Sequence, residues 1–176
     1  ILCWPGGYVG SYRKINPGFT ELVFWERGKD LPVFETDLGR MGTIICFDMT
    51  FAGLAAQYFD RIDMLLVSSA WPDLLGAPHF KAQSINLPMA LAAQLRCPVV
   101  YANLTGPAHI VSATLSGRVM EQDTHFAGTS AIVDCNGLRA ADIPEEKEGV
   151  LTATADLGKA RLIRKAALEP PGLDNM

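Results

Sequence analysis

Hydrophobic positions in this chain fall into short continuous runs cut by Gly/Pro turns, with two longer stretches at helical density. Ile1 to Trp4 and Tyr8 to Arg13 flank Pro5-Gly6-Gly7, which predicts a hairpin. Asn16-Pro17-Gly18 forces another turn. Pro32 to Thr36 and Met41 to Cys46 flank Asp37-Leu38-Gly39-Arg40, a second hairpin. From Gly53 to Arg61 the period changes: Leu54, Tyr58 and Ile62 fall on one face of a helix. Asp63 to Ser68 is a continuous apolar run, the mark of a strand buried on both faces.

Pro78 to Leu95 is rich in Ala, Leu, Met and Gln, which predicts a helix that Pro88 should kink or split. Cys97 to Ala102, Ile110 to Leu115 and Thr129 to Cys135 read as further strands. Asn136-Gly137, after the last of these, is a strong hairpin turn. Gly149 to Ala155 reads as a final strand and Leu157 to Ala167 as a helix, ended by Pro170-Pro171-Gly172. Hydrophobic strands separated by helices predict an α/β fold in layers, with sheets covered by outer helices. Residues 1–168 form the body of one domain and 169–176 a tail.

Composition narrows the function. The 176 residues are 49% hydrophobic and 19% charged, ordinary for a globular domain. A net charge of −4 gives no footprint for nucleic acid or an anionic membrane. The basic run Lys159 to Lys165 reads as the solvated face of a terminal helix. Four widely spaced cysteines (Cys3, Cys46, Cys97, Cys135) form no Cys-x-x-Cys pair, and His79, His109 and His125 are not at ligand spacing, so no metal site is suggested. A reducing, cytoplasmic setting is the default for such cysteine usage. The sequence opens Ile1-Leu2-Cys3-Trp4 in a strand-like run, without an initiator Met. It is expected to be a fragment lacking the N-terminal part of a longer protein.

The candidate chemistry centres on Cys46, at the end of the run Met41 to Ile45. Lys14 and Glu21 lie upstream, seven positions apart. A thiolate is the attacking form of cysteine, and a nearby ammonium favours it over the thiol. Free cysteines are more often buried structural residues, and Cys3, Cys97 and Cys135 read as core or turn residues.

An ordered set of motifs resembles the carbon–nitrogen hydrolase (nitrilase/amidase) superfamily. It comprises Tyr12-Arg13-Lys14, Glu21, Val33-Phe34-Glu35-Thr36, Gly39, Gly42, Ile45-Cys46-Phe47-Asp48 with Phe51, and Ser69-Ala70-Trp71. Ala102-Asn103 with Gly106, Phe126-x-Gly128-x-Ser130, and Asp134 with Gly137 complete it. The resemblance implies an αββα sandwich and hydrolysis of a non-peptide carbon–nitrogen bond by a Glu–Lys–Cys triad. Cys46 matches the nucleophile and Lys14 the lysine, while Glu21 resembles a supporting glutamate. The general-base glutamate would precede Ile1.

On that resemblance Cys46 forms a thioester with the acyl group and water releases the acid. Lys14 and the Phe47 backbone N–H face the developing oxyanion. Trp71 either walls the substrate pocket or is a core or rim tryptophan. Asn103 either reaches toward the site or braces a turn. Asp48 fixes the cysteine loop through backbone amides. No cofactor is implied, since thiol, amine, carboxylate and water suffice. The partners implied are a small amide or nitrile and further copies of the chain in a dimer or larger homo-oligomer. Ile85 to Leu95 and the Pro170-Pro171 tail are candidate contact surfaces.

The pattern also departs from the family. Ala52-Gly53 follows Phe51 where a Pro-Glu-like step is usual, Asn16 stands where His is common, and Leu91-Ala92-Ala93-Gln94-Leu95 replaces a charged segment. Cys46-Phe47-Asp48 favours amide or carbamoyl hydrolysis over nitrile hydrolysis. Acyl transfer to an amine, or a silent binding member of the fold, are the alternatives.

Overall fold

The central strands are those with the most continuous apolar runs. In a computed structural model, which describes residues 1–18, 21–73, 77–113, 117–144 and 147–169, β1 (Leu2–Trp4) and β2 (Gly7–Gly10) form the expected first hairpin. A one-turn helix, α1 (Glu21–Phe24), follows. The second hairpin joins β3 (Phe34–Thr36) to β4 (Gly39–Ile45). A short 3₁₀ turn at Cys46–Thr50 leads into α2 (Ala52–Ala56). Then come β5 (Met64–Ser69), β6 (Pro72–Asp73), α3 (Pro78–Leu95) and β7 (Val99–Asn103). A ribbon of β8 (Thr105–Ala113) and β9 (Val119–Ala127) precedes β10 (Ala131–Val133), β11 (Arg139–Asp142) and α4 (Leu157–Leu168).

Six strands make one sheet in the order β11-β10-β7-β5-β4-β3, with β4, β5 and β7 parallel at its centre. The parallel strands place Ile44, Leu65, Val67, Val99 and Tyr101 on one buried face. There α3 packs on β7 and β10, contributing Leu91, Ala92 and Leu95 to the core. Gly42 is needed on β4 because a Cβ there would lie 2.9 Å from the Tyr58 ring. Tyr58 is fully buried, and its hydroxyl donates to the Pro32 carbonyl at 2.8 Å and accepts from the Thr43 N–H at 3.2 Å. The opposite face is more open: Thr43, Ile45, Leu66, Val100 and Ile132 are only half-buried, and Ser68 and Ala102 are exposed. A groove of about 260 Å³ lies between that face and Ile1, Leu2, Tyr12 and Phe34.

Several expectations change. Gly149–Ala155 is not a strand: it pairs with no neighbour, and Val150 is exposed. The ribbon strand β9 was not anticipated, because Glu121-Gln122-Asp123-Thr124-His125 has no apolar face. Both β6 and β11, as well as α1, are too short to show periodicity. The 53–61 helix is shorter than expected, with α2 ending at Ala56 and turns continuing to Arg61. Pro88 does not split α3, which runs unbroken and buries that proline. Much of Ile85 to Leu95, expected as a contact surface, lies in the chain's own core: Pro88, Leu91, Ala92 and Leu95 are all buried. Nor is Lys159 to Lys165 wholly solvated, since Arg164 is buried and bonds the Ile62 carbonyl and Asp63. The end of the Ile110–Leu115 strand and the Pro170-Pro171 tail lie outside the described residues.

Candidate active site

At the carboxyl end of β4 the chain turns sharply. Cys46 takes a left-handed backbone conformation (φ 49°) and opens the 3₁₀ turn. A non-glycine residue held there costs on the order of 1–3 kcal/mol and persists only where surrounding structure enforces it. Asp48 is the enforcing group. Fully buried, it accepts from the Ile45 N–H at 3.1 Å, which covers an otherwise unpaired donor at the start of the turn.

The same carboxylate reaches the lysine segment. Tyr12 Oη donates to Asp48 Oδ2 at 2.7 Å and the Asn16 N–H donates to Oδ1 at 2.7 Å. Burial, reinforced by the hydrogen bond to Asp48, pushes the Tyr12 phenol far above its ordinary range. Tyr12 is thus locked as a neutral donor.

Lys14 lies between these two anchored residues. Its ammonium, 13% exposed, pairs with Glu21 Oε2 at 2.5 Å, and that same oxygen accepts from the Gly18 N–H. Glu21 therefore faces the lysine from the first turn of α1. The Lys14 carbonyl accepts from the Gly28 N–H at 2.8 Å. Only glycine fits at 28, since a Cβ there would sit 2.0 Å from the Arg13 carbonyl oxygen.

Beyond the thiol, aromatic rings form a wall. Phe47 packs against Phe51 (centroids 5.6 Å apart) and Trp71 (6.4 Å), and Trp71 against Phe80 (6.2 Å). Trp71 is 1% exposed, and its indole N–H donates to the Phe80 carbonyl at 2.8 Å, so it belongs to the core beneath the site. Asn103 braces the loops: its Oδ1 accepts from the Trp71 N–H and its Nδ2 donates to the Gly128 carbonyl, both at 2.8 Å. Both ends of that amide are engaged within the chain.

A cluster of hydroxyls that sequence reasoning missed lies behind this wall. Tyr101 is buried beside Ser69, Ser84 and Thr129, and burial pushes its phenol upward. Ser84 and Thr129 are 2.9 Å apart, whereas Tyr101 Oη and Ser69 Oγ lack hydrogen-bond partners among the described residues. Single hydroxyl residues drawn from β5, β7, α3 and the loop before β10 carry no sequence signal of such a cluster.

The other thiols are set apart. Burial pushes Cys97 up to about 12, Cys135 is buried, and Cys3 is exposed away from any such constellation. His109 is exposed and paired with Asp123 at 2.8 Å. Among the described residues no group of three or more His, Cys, Asp or Glu could hold a metal ion, and no helix is long and apolar enough to cross a membrane.

A cysteine on a strand-end turn of an α/β sheet, with a lysine–glutamate pair tethered to that turn, defines the class of this protein. Residues 2–165 match the carbon–nitrogen hydrolase family, and the chain belongs to it. It is 30% identical over 161 residues to a probable nitrilase of Schizosaccharomyces pombe, covering 91% of this chain and 53% of that protein. Among solved structures it resembles a carbon–nitrogen hydrolase from Helicobacter pylori G27 (TM-score 0.70, 23% identity, 97% of this chain and 60% of the other). It also resembles a mutant amidase from Nesterenkonia sp. AN1 bearing the acetamide moiety of fluoroacetamide on its active-site cysteine (TM-score 0.67, 20% identity, 93% and 56%). The fold is the αββα type of this superfamily, whose relatives include nitrilases and amidases. The chain spans about half the length of the curated relatives it matches.

Proposed function

We propose that this chain carries the nucleophile of a carbon–nitrogen hydrolase that cleaves small amides or carbamoyl compounds. Cys46 thiolate attacks the carbonyl carbon, and the tetrahedral adduct collapses to a thioester as the carbon–nitrogen bond breaks and the amine leaves with a proton. Water then adds to the thioester, releasing the acid and restoring the thiol. Lys14 stabilises the oxyanion, Glu21 holds Lys14 in place, and the Phe47 N–H is a further donor; one such donor is worth about 3–4 kcal/mol in acyl transfer. Phe47 shapes the acyl side of the pocket, with Trp71 packed in the core beneath it and Asn103 bracing the loops. A general-base glutamate, which the family pattern places upstream of the lysine, takes the thiol proton and later activates the water. The working protein is a homodimer or larger assembly in the cytoplasm, where a free thiol stays reduced.

The observation that supports this reading is the shared tether: one carboxylate two residues after Cys46 grips both residues flanking the paired lysine. The amidase likeness and the Phe47-Asp48 pair favour amides. The nitrilase relative favours a second reading, nitrile hydrolysis on the same thiol. The test is ammonia release by the longer parent protein from matched short amides, carbamoyl compounds and nitriles. Amides should turn over fastest, and Cys46→Ala should abolish release. Turnover that survives Cys46→Ala overturns the proposal, and faster nitrile turnover replaces it with the second reading.

A further inference from the structure

Asp48 serves the strand end and the lysine segment at once, and the two uses are separable. A carboxylate needed only to start the 3₁₀ turn would bond the Ile45 N–H and face solvent with its remaining lone pairs. Here it is fully buried, and its other two bonds go 32 and 36 residues back along the sequence, to Asn16 and Tyr12. Tyr12 Oη in turn accepts from the Ile15 N–H at 3.3 Å, so both backbone neighbours of Lys14 on its far side, Ile15 and Asn16, are drawn toward the cysteine turn. The remaining ties on Lys14, to Glu21 and Gly28, run to the lysine's own loop and hold nothing to β4.

From this we infer that Asp48 and Tyr12 form a latch that sets the position of the Lys14 ammonium relative to the Cys46 sulfur, making both of them positioning residues for the proposed nucleophile. This rests on the reading of Cys46 and Lys14 given above and adds to it the device that aligns them. The latch makes a prediction opposite in sign to simple electrostatics. If Asp48 acted only through its charge, removing that charge would favour the neighbouring thiolate. Acting as a latch, its loss frees Lys14 and disfavours the thiolate.

The experiment follows iodoacetamide alkylation of Cys46 in the full-length protein across pH, by peptide mapping, with exposed Cys3 as the internal reference. Tyr12→Phe keeps the ring and removes the hydroxyl. It should slow Cys46 alkylation near neutral pH by about threefold, the effect of losing one hydrogen bond of the latch, with Cys3 unchanged. Asp48→Asn should slow it further, by about tenfold. In a Lys14→Ala background Tyr12→Phe should have no additional effect, because the latch then has nothing to position.

Equal slowing by Tyr12→Phe in both backgrounds, or faster alkylation in Asp48→Asn, overturns the latch. So does an unchanged profile in Tyr12→Phe when Lys14→Ala is slowed, and that result leaves the proposed function standing. An unchanged profile in Lys14→Ala removes the activated-cysteine reading itself, and the latch with it.

Discussion

Replacing Asp63 with Asn tests how the C-terminal helix is held to the sheet. The Asp63 side chain is 2% exposed and takes hydrogen bonds from three arginines: Arg40 Nε at 3.2 Å, Arg161 Nε at 2.9 Å and Arg164 Nη2 at 3.4 Å. Arg164 is equally sequestered at 3% exposure, with Nη1 on the Ile62 carbonyl at 2.6 Å and Nε 3.3 Å from the exposed carboxylate of Asp60. Burial works to raise the Asp63 carboxyl, but hydrogen bonds from Arg161 and Arg40 outweigh it and hold the group far below the usual carboxylate range. Asp63→Asn leaves a buried guanidinium facing an amide, and breaking a buried pair from one side costs about 3–5 kcal/mol. For a chain of this size that lowers Tm by roughly 6–20 °C.

Arg161 is 53% exposed, so Arg161→Ala should cost no more than about 1 kcal/mol despite its short distances. The assay is urea unfolding followed by circular dichroism at neutral pH, repeated in acid. Because the folded carboxyl is depressed, its contribution is complete above the unfolded value of about 4 and fades as pH falls below it. The gap between wild type and Asp63→Asn should therefore narrow in acid. A loss below about 1 kcal/mol, or one matched by Arg161→Ala, would refute the argument from burial.

Two further expectations follow from local geometry. Gly28→Ala drives a methyl against the Arg13 carbonyl, so it should displace the lysine loop, lower Tm and slow Cys46 alkylation together; a folded variant with unchanged alkylation would show that the loop tolerates the shift. The hydrogen bond to Asp123 raises the His109 imidazole, so its NMR titration should have a midpoint above the ordinary value of about 6.5 and fall back toward it in Asp123→Asn. An identical midpoint in both would remove the Asp123 pairing as the cause.

How much could be read in advance depended on where each residue's partners lie. Leu65 to Val67 and Val99 to Tyr101 declare themselves as strands because they are continuous apolar runs. Only one face is buried, not both as expected: Leu66 and Val100 on the other are half-buried. β9 is hidden because its stability comes from backbone pairing with β8 rather than from an apolar face. Gly149–Ala155 has the composition of a strand but pairs with no strand among the described residues. The proposed site residues Cys46, Lys14 and Glu21 are nominated by their order in the sequence, and the Lys14–Glu21 pair is a short-range contact seven residues apart. The grip of Asp48 on Tyr12, and that of Asp63 on Arg164 across 101 residues, exists only once the chain has folded.

The less-covered side of the central sheet bears on chemistry as well as solubility. The groove there is lined in part by Tyr12 and Ile45, two of the three residues that hydrogen-bond the Asp48 carboxylate. Whatever settles on that surface also expels water from the underside of the tether, and attraction between charges strengthens steeply as the local dielectric falls. Covering these strands would therefore also dry the Tyr12–Asp48 tether, and its hydrogen bonds would strengthen.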